Sequence, residues 1–265
     1  MRLTFLGTGT SHGVPYVACD CEVCRSTDPH NKRLRCSILV DGAHEDSDGE
    51  KTRLLVDTTP DLRQQLLREN VHYLSGVLWT HFHNDHVIGL DDLRALTDHM
   101  GGYIDGYTDA FTLEHLQQIF GYAFEPNRDH GGFPRLNGHV LEVDETLEIG
   151  DIRVSPIPIL HGQREIYAYR FECEDRVLIY ATDCSAIPEA SWQLMKGADV
   201  LVLDALRHRA HPTHFNIEQA TNAIERLQPG RALLTHIAHD LDHNATNRAL
   251  PAGVELAYDN LSLDV

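Results

Sequence analysis

The sequence predicts a mixed α/β protein with two sheet-forming halves, and two observations lead to this prediction. Short runs of aliphatic, aromatic and β-branched residues recur along most of the chain, which is typical of strands. Segments with apolar residues at helical spacing lie between some of these runs. The length of 265 residues is compatible with one large domain, and we expect a single domain over residues 1–265.

Each predicted strand is a short apolar run next to turn-forming or polar residues. The first run is followed at once by Gly7-Thr8-Gly9, which predicts a strand and a turn instead of a secretory leader. One predicted helix follows the start signal Thr59-Pro60, and another ends at the stop signal Pro229-Gly230. The strands are predicted at residues 3–6, 37–40, 54–57, 77–79, 152–157, 167–171, 177–180, 200–204 and 232–235, and the helices at 61–69, 112–120 and 216–227.

Two segments between these elements have a distinctive composition. Residues 41–51 are acidic and are predicted to form a solvated hairpin connection without a chemical role. Residues 101–138 are rich in glycine and aromatic residues, as a lid or a substrate-facing wall would be. Packing of a helix face explains some of these aromatic residues equally well.

Composition restricts the partners of the protein. The chain has 22 basic and 40 acidic residues, and its formal net charge is −18 with neutral histidines. Most of such a surface repels a long polyanion, which disfavours nucleic acid as a partner but allows a small phosphodiester substrate. No run approaches the length of a membrane span, so no membrane partner is expected. The crowded cysteines are typical of metal binding in a reducing compartment, which predicts a cytoplasmic protein.

The strongest chemical signal is the heptapeptide at residues 80–86, Thr-His-Phe-His-Asn-Asp-His, directly after an apolar run. If the chain leaves the strand in an extended turn, His81 and His83 point the same way and are predicted to bind one metal ion. Asp85 and His86 follow at a predicted helix start, displaced from the first pair, and are placed to hold a second ion. The alternative is a histidine-rich surface turn.

Further potential ligands follow other predicted strands. His161 comes directly after an apolar run, Asp183 ends the run at residues 177–182, and His236 follows residues 233–235. The ends of strands hold side chains rigidly enough for a two-metal site. These three residues are therefore predicted to complete the metal centre.

A separate cluster, Cys19, Cys21 and Cys24, places three potential thiolates within six residues. This spacing suits a closed structural zinc site, although it leaves the fourth ligand open, and three buried thiols are the alternative. The remaining cysteines are expected in the core, in or beside strands: Cys36, Cys173 and Cys184.

The order and spacing of these residues resemble the metallo-β-lactamase superfamily. The resemblance implies an αββα sandwich, with two mixed sheets flanked by helices and a dinuclear metal site between the sheets. It also implies that Asp57 orients a metal ligand, whereas the sequence alone allows a turn residue equally well. The implied ligands are His81, His83 and His161 for one ion, Asp85, His86 and His236 for the other, and Asp183 as a bridge.

The complete His-x-His-x-Asp-His set is typical of hydrolytic members of the superfamily, whose usual substrates are phosphodiesters. Two ions about 3.5 to 4 Å apart activate a bridging hydroxide for attack on phosphorus. Asp85 is therefore expected to serve catalysis as well as binding. The cofactors implied are two divalent ions, manganese or zinc with iron as a further option, and one structural zinc ion.

Three features together resemble the PhnP-like cyclic phosphodiesterases of the carbon-phosphorus lyase pathway. They are residues 7–15, Gly-Thr-Gly-Thr-Ser-His-Gly-Val-Pro, the cysteine cluster, and residues 235–239, Thr-His-Ile-Ala-His. The resemblance implies that His239 completes the zinc site and that His214 contacts the scissile phosphate and protonates the leaving oxygen. His208 and His211, in the same loop, compete for that role, and His12 is given none.

The leading hypothesis is hydrolysis of a small cyclic phosphodiester. The resemblance implies 5-phosphoribosyl 1,2-cyclic phosphate as the substrate, and a nucleoside cyclic phosphate suits the same chemistry. The alternatives are an RNA 3′-processing endonuclease of the same superfamily and a metalloprotein that binds a nucleotide or phosphosugar without hydrolysing it. A homodimer is the default expectation for such an enzyme.

Overall fold

The computed structural model describes residues 1–47, 49–125 and 132–265. The strands are β1 (Arg2–Gly7), β2 (Ser37–Glu45), β3 (Lys51–Val56), β4 (Gly76–Leu78), β5 (Ile104–Thr108), β6 (Leu136–Val140), β7 (Leu147–Ile149), β8 (Ile152–His161), β9 (Arg164–Cys173), β10 (Arg176–Ala181), β11 (Val200–Asp204), β12 (Arg231–Thr235), β13 (Val254–Leu256) and β14 (Ser262–Asp264). The α-helices are α1 (Glu22–Arg25), α2 (Leu62–Arg68), α3 (Asn84–Val87), α4 (Arg94–Met100), α5 (Ala110–Phe120), α6 (Glu189–Leu194), α7 (Ile217–Leu227) and α8 (His243–Ala249). Short 3₁₀ helices lie at Pro29–Asn31, Leu90–Leu93 and Gly121–Ala123.

Within these residues the strands form two seven-stranded sheets that pack face to face. The first has the order β14-β1-β2-β3-β4-β5-β6, and the second has the order β13-β12-β11-β10-β9-β8-β7. Helices α2, α4 and α5 cover the outer face of the first sheet, and α6 and α7 cover the outer face of the second. The predicted αββα sandwich, with two mixed sheets flanked by helices, is confirmed.

Alternation along the strands explains why both faces of each sheet are apolar. In β2, Ile38 and Val40 pack in the core between the sheets, whereas Leu39 packs on the side of the helices. Successive side chains of a strand point to opposite faces, so a sheet covered on both sides needs a continuous apolar run. This is why the short apolar runs of the sequence predicted most of the strands.

The edge at which the metal centre lies follows from strand direction. Strands β10, β11 and β12 are parallel, and β8 has the same direction because β9 is antiparallel to both β8 and β10. In the first sheet β3 and β4 are parallel. The carboxyl ends of parallel strands meet at one edge of a sheet, which is where polar side chains from several strands come together.

Segments 41–51 and 101–138 contain strands or helices that the sequence did not predict. Strand β2 continues to Glu45, so the first part of the acidic segment 41–51 is strand and not a solvated connection, and Asp41 pairs with Arg53 across to β3. The segment 101–138 contains β5, α5 and β6, while its residues 126–131 lie outside the described residues. A lid role for that segment stays a prediction.

Over the described part of the chain, none of the helices combines the length and the apolar character needed to cross a membrane.

Candidate metal centre

Three histidines form the first group of potential ligands. His81, His83 and His161 each offer a ring nitrogen, and these nitrogens all lie within 4.8 Å of one another. His83 has extended backbone angles and is the N-cap residue of α3. His161 ends β8, and a 2.8 Å hydrogen bond joins its Nδ1 to the carbonyl oxygen of Thr213. Nδ1 is the donor in that bond, so Nε2 of His161 is the nitrogen left for a ligand.

Asp85, His86, Asp183 and His236 form the second group, again with ligand atoms within 4.8 Å of one another. Nε2 of His86 lies 3.2 Å from Asp183 Oδ1 and 3.3 Å from Asp85 Oδ2. Nε2 of His236 lies 3.4 Å from Asp183 Oδ2. Asp183 also approaches the first group, with Oδ2 at 3.9 Å from His81 Nε2, so its carboxylate lies between the two groups.

These buried nitrogens are the observation that tests whether metal ions fit. Nε2 of His81, His86 and His236 is buried and has no hydrogen-bond partner among the described residues. The nearby carboxylate oxygens are close but are not aligned as hydrogen bonds. A buried polar atom without a partner costs about 1 to 3 kcal/mol, and several of them facing one point are satisfied together by a cation. The donor set of imidazole nitrogens and carboxylate oxygens therefore fits divalent metal ions.

The electrostatics of both groups favour the same conclusion. Burial lowers the pKa of His81 well below its ordinary value, so this imidazole is neutral and its lone pair is available. Burial also opposes a charge on His86, but the carboxylates of Asp183, Asp85 and Asp57 together raise its pKa well above the ordinary value. The carboxylates thus require positive charge at this point, which a bound dication supplies.

Backbone geometry turns several of these side chains into the centre. Asp57, Asp183 and His236 follow the ends of β3, β10 and β12 with φ angles of 65°, 54° and 57°. Residues other than glycine rarely adopt this left-handed conformation, which is concentrated at functional sites. The backbone changes direction at these three positions, directly after buried strands. The buried strands therefore hold the three side chains in fixed positions.

Asp57 acts on a ligand and not on a metal. Its Oδ2 lies 2.8 Å from Nδ1 of His86, and Thr80 donates to the carboxylate through both its backbone N–H and its hydroxyl. The bond to Nδ1 leaves Nε2 of His86 as the ligand nitrogen. Asp57 therefore follows the end of β3 with a left-handed backbone and hydrogen-bonds to His86, while its role in orienting a metal ligand stays a prediction.

Replacing Asp57 by asparagine is expected to weaken metal binding by about 10- to 100-fold, because the amide offers one acceptor oxygen where the carboxylate offers two. The measurement is metal retained by the purified protein after dialysis against graded concentrations of a chelator. Asp61→Asn is the matched control, since Asp61 pairs with Arg35 and contacts none of the potential ligands. Equal retention by the two variants would contradict the orienting role.

His214 lies against both groups. Its ring stacks on that of His236 with centroids 4.6 Å apart and contacts that of His161 edge-on at 4.7 Å. Its Nδ1 lies 2.8 Å from Oδ2 of Asp204, the fully buried last residue of β11. When the pair of His214 and Asp204 has no net charge, it holds two protons. One proton lies between Nδ1 of His214 and Oδ2 of Asp204, and the other is on Nε2 of His214.

Asp204 is a site residue that the sequence prediction missed. It was visible only as the end of a predicted strand, the same signal that singled out Asp183. The other histidines of the region are peripheral. His211 hydrogen-bonds within its own loop to Thr213, His208 is exposed, and His12 contacts the ring of Tyr16.

The cysteine cluster converges on His239. Its Nδ1 lies 3.2, 3.4 and 3.6 Å from the sulfurs of Cys19, Cys21 and Cys24. The backbone N–H of Cys24 lowers the pKa of Cys21 to about 6, while burial raises the pKa of Cys24 to about 11. A bound zinc ion would keep all three sulfurs as thiolates. This donor set fits a closed structural zinc site.

Replacing Cys21 by serine is expected to remove one zinc ion per chain and to lower Tm by about 6 to 12 °C. This range corresponds to about 3 kcal/mol in a domain of this size. The site joins two segments that lie 220 residues apart in the chain, so its loss releases the N-terminal loop. Elemental analysis and calorimetry measure the two effects, with Cys173→Ser as the control because Cys173 is buried in β9, outside the cluster. A Cys21→Ser protein with full zinc content would refute the assignment.

Comparison with known proteins agrees with this geometry. Residues 52–237 match the family described as the beta-lactamase superfamily domain. The chain belongs to the metallo-β-lactamase superfamily. A crystal structure of a diphosphatase from the PhnP family has a TM-score of 0.88 and 41% sequence identity, covering 100% of this chain and 97% of that one. The PhnP-like resemblance is therefore confirmed.

Two other relatives show the breadth of the superfamily. Zn²⁺-bound PqqB from Methylobacterium extorquens shares the fold, with a TM-score of 0.77 at 21% identity over 100% of both chains. An octanoyltransferase of Porphyromonas gingivalis is 35% identical over 263 residues, which is 98% of this chain and 51% of that relative. The chain spans about half the length of this curated relative, so the named activity of the longer protein is not transferred to it.

Proposed function

We propose that the chain is a metal-dependent phosphodiesterase that hydrolyses a small phosphodiester. The leading candidate is a cyclic phosphodiester, either 5-phosphoribosyl 1,2-cyclic phosphate or a nucleoside cyclic phosphate. The observation that carries the proposal is the pair of adjacent ligand groups that share Asp183 and have His214 stacked against them. Two cation sites next to a proton donor suit attack on a phosphorus that carries a poor leaving group.

Each protein group has a defined task in this proposal. His81, His83 and His161 would hold one ion and Asp85, His86 and His236 the other, with the carboxylate of Asp183 lying between the two groups. Manganese, zinc or iron suits this mixed donor set, and zinc suits the separate cysteine site. When bound, the two ions lower the pKa of a water molecule and neutralise the phosphoryl oxygens.

His214 is the candidate general acid. Its Nδ1 is engaged by Asp204, so its free nitrogen is Nε2, beside the histidines of both groups. Only 8% of His214 is exposed, which keeps bulk water from competing for its proton. Protonation of a leaving alkoxide contributes about 10²- to 10⁴-fold to a rate. Asp204 is the positioning residue that fixes the ring.

Cleavage of a diphosphate is the second candidate, because the 41% identical neighbour is described as a diphosphatase. The same ions would serve, but a phosphate leaves as a stable anion and needs little help from an acid. The RNA 3′-processing alternative is disfavoured by the net charge of −18, which opposes a long polyanion. The alternative of a protein that binds a nucleotide or phosphosugar without hydrolysing it gives no chemical role to the two adjacent ligand groups.

The test is a screen of manganese-loaded and zinc-loaded protein by phosphorus NMR. Cyclic phosphodiesters, a dinucleoside diphosphate and bis(p-nitrophenyl) phosphate are incubated with each form, and the metal content is measured in the same samples. We expect hydrolysis of the activated diester and of at least one cyclic phosphodiester. Hydrolysis of none of these compounds by protein with both ligand groups loaded would refute the proposal.

A further inference from the structure

A group of aromatic side chains and one cation lies beside the three-histidine group. We call it the Arg164 platform, and it consists of Phe82, Phe111, His115 and Arg164. The guanidinium carbon of Arg164 lies 4.0 Å from the ring centroid of Phe111 and 5.2 Å from that of Phe82. The ring of His115 contacts both phenylalanine rings, with centroid distances of 4.1 Å and 4.7 Å.

The platform adjoins the metal centre at two places. In the loop between β4 and α3, Phe82 lies between His81 and His83, and its ring contacts that of His83 at 4.9 Å. In the second sheet, Arg164 is the cross-strand partner of His161 at the closed end of the β8–β9 hairpin. Directly opposed residues have Cβ atoms about 5 Å apart and point to the same face.

The turn between them fixes this register. Gly162 and Gln163 form a two-residue connection, and Gly162 has a φ of 65°. Such a turn favours glycine at its first central position. A Cβ at Gly162 would also lie 2.9 Å from Cγ2 of Thr213, whose carbonyl oxygen holds His161. Arg164 is therefore held at a fixed position next to a metal ligand.

Arg164 has no anionic partner among the described residues. Its contacts are the rings of Phe82 and Phe111, and its side chain is exposed. The net charge of the chain is −18, so most of its surface repels anions. The unpaired guanidinium of Arg164, beside the metal centre, is available to an anionic ligand. The guanidinium lies over the Phe111 ring and makes no side-chain hydrogen bond or ion pair within the described residues, so its N–H groups are free to hold a phosphate with two hydrogen bonds.

We infer that Arg164 binds a second, non-reacting phosphate of the substrate and so selects substrates that carry two phosphoryl groups. The inference rests on the proposed phosphodiesterase function, since the reacting phosphate is placed at the metal ions. Phe82 and Phe111 hold the guanidinium in place, which reduces the conformational entropy that Arg164 loses on binding. A phosphosugar cyclic phosphate and a diphosphate both carry such a group, whereas a nucleoside cyclic phosphate does not.

The experiment is calorimetric titration of the zinc-loaded full chain with ribose 1,5-bisphosphate and with ribose 1-phosphate. We expect the bisphosphate to bind at least about 10-fold more tightly, because charge-assisted bonds to a guanidinium are among the stronger polar contacts. Arg164→Gln is expected to remove most of that difference, and Arg164→Lys part of it, while the affinity for the monophosphate stays the same.

Arg226→Gln is the matched control. Arg226 also stacks on an aromatic ring, with its guanidinium carbon 4.0 Å from the ring centroid of Trp192, and it pairs with Glu189 of α6 outside the metal centre. This variant should keep the full preference for the bisphosphate. Equal affinities of the wild-type protein for the two ligands, or an unchanged preference in Arg164→Gln, would overturn the inference.

Turnover of bis(p-nitrophenyl) phosphate separates this inference from the proposed function. A protein that prefers the bisphosphate but hydrolyses none of the diesters supports the Arg164 site and refutes only the phosphodiesterase proposal. A protein that hydrolyses the activated diester but shows no preference refutes only the Arg164 site. In Arg226→Gln, hydrolysis of that diester should stay within about 3-fold of wild type, because the changed side chain lies outside the metal centre.

Discussion

Replacing Asp183 by asparagine is expected to remove bound metal from the centre and to lower kcat by roughly 10³-fold or more. Asp183 is 2% exposed, and its two oxygens approach Nε2 of His86, His236 and His81 at 3.2, 3.4 and 3.9 Å. An amide removes the negative charge from the point between the two groups. Stabilisation of charge by a bound ion is worth several kcal/mol in a transition state, and about 4 kcal/mol corresponds to roughly 10³-fold in rate.

Elemental analysis of the purified variant and its turnover of bis(p-nitrophenyl) phosphate measure the two effects. Asp151→Asn is the control, because Asp151 precedes β8 at the end opposite to His161 and its carboxylate accepts backbone N–H groups of β2. That variant removes the same charge and should keep metal and rate. An Asp183→Asn protein with wild-type metal content and kcat would show that the carboxylate does not join the two groups.

Most of the strands could be predicted because both faces of each sheet are covered, which makes the strands continuous apolar runs. Strand β5 was missed because it contains Gly106, which indicates a loop in the sequence. In the structure, a Cβ at Gly106 would lie 2.4 Å from Cζ3 of Trp79. The glycine therefore makes room for the buried Trp79, which directly follows the neighbouring strand β4, and this is a tertiary reason that sequence alone does not contain.

Strand β8 was predicted too short for a related reason. Pro156 and Pro158 lie within it and are opposite Tyr169 and Tyr167 of β9. On the other side β7 pairs with β8 only from Ile152 to Val154, so both prolines face an open side. A missing N–H costs nothing at such a position, and the strand continues to His161.

The potential ligands could be found because each follows a strand, and parallel strands end at the same edge. Asp204 carries the same signal but was not singled out, because its partner His214 lies in a loop whose path the sequence does not reveal. Arg164 gives no signal at all in the sequence. Its position depends on hairpin register and on two phenylalanines distant in sequence, Phe82 in the loop before α3 and Phe111 in α5.

Replacing His214 by alanine is expected to lower kcat by about 10²- to 10⁴-fold on a cyclic phosphodiester, whose leaving group is a sugar alkoxide. His214 has a ring nitrogen within 4.8 Å of ligand atoms of His161 and Asp183. Its Nδ1 is held by Asp204 and the two ligand groups are complete without it, so metal content should stay near the wild-type level. His211→Ala is the control, because His211 is in the same loop with its ring centroid 5.1 Å from that of His214 and hydrogen-bonds only locally. Full activity of His214→Ala on the cyclic substrate would exclude it as the acid.

The same variant distinguishes the two candidate reactions, since need for an acid depends on the leaving group. The p-nitrophenolate of the activated diester and the phosphate of a diphosphate both leave as stabilised anions, so His214→Ala should lose less than about 10-fold on either compound. A sugar alkoxide must be protonated as the P–O bond breaks. His214 is held by a buried carboxylate with Nε2 as its free nitrogen, an arrangement that a diphosphatase would not need. A large loss of kcat on the cyclic substrate together with a small loss on a diphosphate would therefore show that the pair of His214 and Asp204 serves to protonate an alkoxide leaving group.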